Sequence, residues 1–180
     1  MSRIYVCPLS KLEQTVRETD AQTVVTLIDH ATPVSRPPSV LPSRWLFVAI
    51  SDISEHLEGH VLAQDAHMAE LLAFVEAWDR RAPMVIHCYA GVSRSTAAAF
   101  IAACALEPEV PEDAFARRLR LVSPTATPNP RLVALADSQL SRKGRMIAAV
   151  RAIGRGEDCF EGSPFCLDLG REARTSAHIA

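Results

Sequence analysis

Pro83-Met84-Val85-Ile86-His87-Cys88-Tyr89-Ala90-Gly91-Val92-Ser93-Arg94-Ser95 reads as a buried strand, a tight loop and the opening of a helix, with five residues between a cysteine and an arginine. Five residues bent into such a loop turn their backbone N–H groups inward as a concave anion nest. The helix beginning near Ser93 adds its positive end and its unsatisfied N–H groups. Arg94 closes the ring with a planar fork that matches two oxygens of a tetrahedral anion. Helix N-termini and cationic surroundings lower thiol pKa values, so the same field predicts Cys88 to be a nucleophilic thiolate aimed at that anion. Tyr89, Ala90, Gly91, Val92, Ser93 and Arg94 are the expected phosphate-binding residues.

Outward from this stretch, apolar runs alternate with helical patterns. Ile4–Pro8 reads as a short strand, Lys11–Thr19 as a helix, and Thr23–Ile28 as a β-branched strand. Ala31–Arg44 carries Pro33, Pro37, Pro38 and Pro42, which predicts a loop of restricted conformation. Trp45–Ile50 is an apolar strand ending at Ser51-Asp52. Gln64–Arg80 has helical periodicity through Met68, Leu71, Leu72, Val75 and Trp78. Ser93–Leu106, almost all small and apolar, predicts a helix buried against the sheet. Pro111–Val122 opens with a helix-start signature. Pro130–Ile153 predicts helix with a break at Gly144. Strands alternating with helices predict an α/β fold: a mostly parallel central sheet flanked by helices, with a helical C-terminal third. Ligands of such sheets bind at the carboxyl ends of strands, where Asp52 and Cys88 are both expected. The chain, 180 residues long, is expected to form one domain, with 154–180 a loosely packed tail in which Cys159–Leu167 forms an extended flap.

A net charge of −2 gives no global reason to expect a nucleic-acid or membrane partner, and no apolar stretch approaches the ~20 residues of a membrane span. The cysteines Cys7, Cys88, Cys104, Cys159 and Cys166 are odd in number and scattered, which argues against a disulfide framework or zinc site and for a reducing cytoplasm. Cys7 and Cys104 read as core residues rather than redox partners of Cys88. His56 and His60 have ligand-like spacing, but Gly59 between them disfavours a helix. They read as loop histidines, and no metal or cofactor is expected. Arg117, Arg118, Arg120, Arg142, Lys143 and Arg145 read as solvated helix faces. Oligomeric state is not specified by the sequence.

The run His-Cys-x-x-Gly-x-x-Arg-Ser, between a strand and a helix, resembles the signature of the cysteine-dependent protein tyrosine phosphatase superfamily. It is closest to the dual-specificity branch and the compact bacterial members. The resemblance implies hydrolysis of a phosphomonoester, on a phosphorylated protein or a small molecule, through a phosphocysteine on Cys88. Arg94 would grip the equatorial oxygens, Ser95 would ease departure of the thiolate, and His87 would orient the loop and keep the cysteine ionised. Family members place an aspartate acid/base on a loop just after a strand; Asp52 fits, with Glu55, Glu58 and Asp65 as rivals on the same stretch. Pro128-Asn129 resembles the proline-asparagine that precedes the last helix of dual-specificity members, where the asparagine buttresses the phosphate loop; Asn129 serves equally as a helix cap before Pro130. The chain lacks a Trp-Pro-Asp loop and a tyrosine-rich clamp, which leaves phosphotyrosine selectivity open. The absence of lysine from the nest weighs against a highly charged lipid headgroup. Two alternatives follow from the same loop: a phosphate- or phosphopeptide-binding module without catalysis, and a rhodanese-like sulfurtransferase.

Overall fold

A computed structural model describes residues 2–170. Its sheet has five strands: β1 (Ser2–Pro8), β2 (Thr23–Ile28), β3 (Trp45–Ala49), β4 (Met84–Cys88) and β5 (Phe165–Leu169). Their order is β3-β2-β4-β1-β5; the first four run parallel and β5 pairs antiparallel with β1. Every residue of β2 and β4 is buried, as expected of central parallel strands covered on both faces.

The two faces are covered unequally. On one lies α1 (Leu12–Thr19), where Leu12 and Val16 pack with Cys7, Val24 and Val85; Val40 of the proline-rich stretch completes this small core. The other face carries α2 (Asp65–Glu76), α3 (Arg94–Leu106), α4 (Glu112–Val122), α5 (Pro130–Gln139) and α6 (Arg145–Ile153) around the main core. Helix α3 is buried continuously from Arg94 to Cys104, because it packs on the sheet and on α2, α4 and α5 at once. Its alanines allow that close approach from every side. The α5–α6 break falls where Gly144 takes a left-handed φ of +87°, and the Asp137 carboxylate accepts the Gly144 and Met146 N–H groups to cap α6.

The expected Gln64–Arg80 helix stops at Glu76. Trp78 leaves it to donate from Nε1 to the Ala82 carbonyl, and Arg80 turns the chain with φ +57°. The larger difference concerns the segment expected to be a loose tail. Phe165–Leu169 forms an edge strand whose Phe165, Leu167 and Leu169 are buried beside α4, so 154–169 belongs to the domain. Alternation of apolar and polar residues over Phe165-Cys166-Leu167-Asp168-Leu169 is the signal for a half-buried strand. Residues 171–180 of the expected tail lie outside the described residues.

Candidate active site

Parallel strands bring their carboxyl ends to one edge of the sheet, and the chemistry-bearing residues collect there. Beta-4 ends in Cys88, β2 is followed by Asp29, and β3 by Ile50, Ser51 and Asp52. From Cys88 the chain turns through residues 89–93 into the first turn of α3. Gly91, with φ +72°, makes the turn possible; a Cβ there would lie 2.7 Å from the Pro8 nitrogen and 2.9 Å from the Cys7 carbonyl carbon. Both constraints demand glycine. Cys88 is buried, with Ser95 Oγ 3.1 Å from its sulfur and the Gly91 N–H donating to it from 3.3 Å. An amide N–H and a hydroxyl therefore converge on one sulfur.

Arg94 is also buried, its Nη1 donating to the Ile50 carbonyl at 2.8 Å. Its Nε–H has no hydrogen-bond partner. An unpartnered buried N–H is costly, and an oxyanion in the nest is the chemistry that would satisfy it. The nearest Asp52 and Asp29 oxygens stand 4.0 Å from Nε and 3.9 Å from Nη1, close enough for attraction but too far for a hydrogen bond.

Asp52 is held at the rim of the nest. Its Oδ1 accepts from Ser93 Oγ at 2.7 Å and from Asn129 Nδ2 at 2.9 Å, while Oδ2 is the oxygen turned toward Arg94. The rivals are placed otherwise. Asp65 starts α2 and accepts from Gln139, and Glu55 and Glu58 are exposed. Asn129 works in three ways: its Oδ1 caps α5 at Arg131 N and Leu132 N, its Nδ2 donates to Asp52 and to the Ile53 carbonyl, and its own N–H donates to the Ser93 carbonyl. The side chain thus reaches Asp52, and only the backbone reaches the 89–93 loop.

His87 points to the opposite face of the sheet from Cys88, since successive strand residues alternate. Its Nδ1 lies 3.4 Å from the Cys88 carbonyl and its Nε2 2.8 Å from Thr26 Oγ1, which also receives the Trp45 indole N–H. A carbonyl only accepts, so Nδ1 carries the proton and Nε2 takes the Thr26 hydroxyl proton. Burial first, and the Arg94 charge to a lesser degree, push the His87 pKa down to about 4 against the pull of the Cys88 backbone. At neutral pH the ring is uncharged. Its contact with the loop runs through the Cys88 carbonyl.

Four contributors were not singled out from the sequence: Asp29, Thr26, Trp45 and Ser51, whose hydroxyl donates to Asp29. Asp29 carried the same signal as Asp52, a carboxylate just past a strand end. Thr26 and Trp45 looked like ordinary strand residues, and only the register of β2 beside β3 and β4 unites them with His87. The basic residues are mostly committed to structure. Arg142 and Arg145 pair with buried Glu112, Arg117 with Asp113, and Arg120 donates to carbonyls of Pro124 and Gly154. Among the described residues no cluster of His, Cys, Asp and Glu could hold a metal, and no helix is long and apolar enough to cross a membrane.

Residues 58–120 match the family model of protein-tyrosine phosphatases. Among solved structures, human DUSP28 superposes with a TM-score of 0.60 at 17% identity, covering 78% of this chain and 94% of its own. PTP-2 phosphatase of Cydia pomonella gives 0.58 at 19%, covering 75% and 84%. A mouse putative dual specificity phosphatase, complexed with zinc tungstate, gives 0.54 at 20%, covering 79% and 80%. No curated protein matches the chain.

Proposed function

Starting from a chain that is protein-tyrosine-phosphatase-like in its fold and in its matched central segment, we propose that it hydrolyses phosphomonoesters through a phosphocysteine. One observation carries this reading. A sulfur that receives the Gly91 N–H and lies against the Ser95 hydroxyl shares its nest with a buried guanidinium bearing an unpartnered N–H, and a tethered carboxylate stands at the rim.

The substrate's phosphoryl oxygens bind the loop amides and Arg94, whose Nε gains the partner it lacks. Cys88 Sγ attacks phosphorus from below as the ester P–O bond breaks on the far side. Asp52, in its carboxylic acid form, gives its proton to the departing oxygen. The resulting phosphocysteine is then attacked by water, and Asp52 as carboxylate accepts the proton. The S–P bond breaks, inorganic phosphate leaves, and the electron pair returns to sulfur. Ser95 Oγ, 3.1 Å away, stabilises that returning charge with a hydrogen bond. Charge is held throughout by groups already in place, which is where most such catalysis resides.

Turnover of an aryl phosphate in the presence of chelator tests the reading. Wild-type protein turns it over and the Cys88→Ser variant does not; equal rates for the two would reject the mechanism. Rates on phosphotyrosine and phosphoserine peptides, nucleotides and phosphoinositides then define the substrate. Nothing in the site favours the sulfurtransferase or purely binding alternatives.

A further inference from the structure

An inward-facing amide nest has an obligatory counterpart: its carbonyls point outward and need donors of their own. Apart from α3 itself, which serves Val92 and Ser93, the donors come from distant parts of the chain. Leu9 N–H serves the Tyr89 carbonyl at 3.1 Å, Thr127 N–H serves Val92 at 2.9 Å, and Ala97 and Asn129 N–H groups serve Ser93. The Ala90 carbonyl is served by Gly162 N–H at 2.8 Å. Gly162 lies just before β5, and because β5 runs antiparallel, its beginning lies at the edge where the parallel strands end.

Gly162 is also sterically matched to the nest. A Cβ at this position would stand 3.2 Å from the Gly91 carbonyl oxygen, 3.4 Å from Val92 Cγ2 and 3.5 Å from the Ala90 oxygen. Contacts upstream of Gly162 hold the segment there. Ser10 Oγ donates to Glu161 Oε1 at 2.8 Å, Glu157 N–H to the Pro124 carbonyl at 3.0 Å, and Gly156 N–H to Thr127 Oγ1 at 3.1 Å. Gly156 lies so close to the Thr125 backbone that a Cβ would meet it at 2.5 Å.

We infer that Gly162 is a positioning residue for the phosphate loop: its amide fixes the Ala90 carbonyl outward and its missing side chain lets the segment close against Gly91, so that the nest amides are aimed before the anion arrives. The inference rests on reading that loop as the phosphate site. The strap formed by residues 154–164 lies outside the segment that matches the family model, so this chain completes its nest with a part of itself that the match does not include.

The test uses the full chain with Gly162→Val, Gly162→Ala and Ser10→Ala, reading the tungstate Kd by calorimetry, kcat and KM on an aryl phosphate, and the melting temperature. Gly162→Val weakens tungstate binding and lowers kcat/KM together by roughly tenfold to hundredfold, as a displaced group of this kind does. Gly162→Ala and Ser10→Ala act in the same direction and less, with melting temperatures close to wild type. Wild-type tungstate affinity in a folded Gly162→Val overturns the inference. Should that variant not fold, wild-type affinity in both milder variants overturns it instead. If wild-type protein binds tungstate but hydrolyses nothing, the enzymatic reading fails alone and the binding arm still decides the role of Gly162. Failure of wild type to bind tungstate removes the phosphate site, and the inference with it.

Discussion

Cys7, Cys88 and Cys104 are equally sealed from solvent, each about 1% exposed, yet they sit in opposite chemical surroundings. Cys7 lies between β1 and α1 and Cys104 within α3, and burial among apolar neighbours pushes both thiols up to about 12. Arg142 reaches Cys104 only by donating to its carbonyl, and neither cysteine sits in a loop closed by an arginine. Cys88 is no better exposed, but Gly91 N–H and Ser95 Oγ lie against its sulfur and Arg94 closes its loop. Burial alone makes a thiol an inert, small hydrophobe. Burial beside an N–H and a hydroxyl, in a loop closed by a guanidinium, is instead the setting that the proposed nucleophile requires. The loop between β4 and α3 supplies that setting, and the interior of the fold does not.

The largest expected effect breaks this comparison directly. Cys88→Ser lowers kcat by about 10⁴-fold or more, as removal of a covalent nucleophile does. Cys7→Ala and Cys104→Ala leave kcat/KM within about twofold and cost stability on the order of 1 kcal/mol through lost packing. A phosphatase assay beside urea unfolding curves measures both. Loss of turnover in Cys7→Ala without loss of stability would contradict the division between the two kinds of cysteine.

Asp52→Asn comes next. General acid–base groups contribute about 10²–10⁴-fold, so the drop reaches that range for an alkyl phosphate, whose leaving oxygen needs the proton. It is much smaller for an aryl ester with a good leaving group. A drop equal for both substrates would assign Asp52 to binding, and the same comparison on Asp29→Asn shows which of the two carboxylates facing Arg94 handles the proton.

His87 sharpens the contrast from beneath the loop. Its pKa is held near 4 in the fold and returns to about 6.5 on unfolding. Between those values the unfolded chain binds a proton that the folded protein refuses. Stability is therefore full above about pH 6.5, declines as pH falls toward 4, and loses no more on this account below it; the loss amounts to about 3 kcal/mol. Unfolding free energies at pH 7 and pH 4.5 measure it, and His87→Gln removes this part of the pH dependence. An unchanged slope in that variant would place the acid sensitivity elsewhere.

The fold was legible where local chemistry and tertiary burial agree. Thr23–Ile28 reads as a strand because all its residues are buried between neighbours, and Ser93–Leu106 reads as a helix that is apolar all round because it is enclosed all round. The edge strand Phe165–Leu169 was missed because a short strand beyond three glycines looks like tail until β1 supplies its partner. In the site, Cys88 and Arg94 were legible from the strand-turn-helix frame, and Asp52 from its place just past a strand end. Thr26, Trp45 and Gly162 were not, because their contributions exist only through contacts far apart in sequence.

Asn129 gives the smallest effect and the finest division, since one side chain caps α5 with its oxygen and tethers Asp52 with its nitrogen. Asn129→Ala removes both and costs about 1 kcal/mol of stability, the usual loss of a helix cap. Asn129→Asp keeps an oxygen that caps as well as asparagine does but replaces the tethering donor with a carboxylate 2.9 Å from Asp52. That variant keeps the wild-type melting temperature more nearly than the alanine variant while kcat falls several-fold, on the order of 1 kcal/mol in the barrier. Its pH–rate profile also moves to higher pH, because a neighbouring like charge disfavours ionisation. A capping role alone would leave that profile where it was, so the shift separates a residue that steadies a helix from one that also aims the acid across the nest.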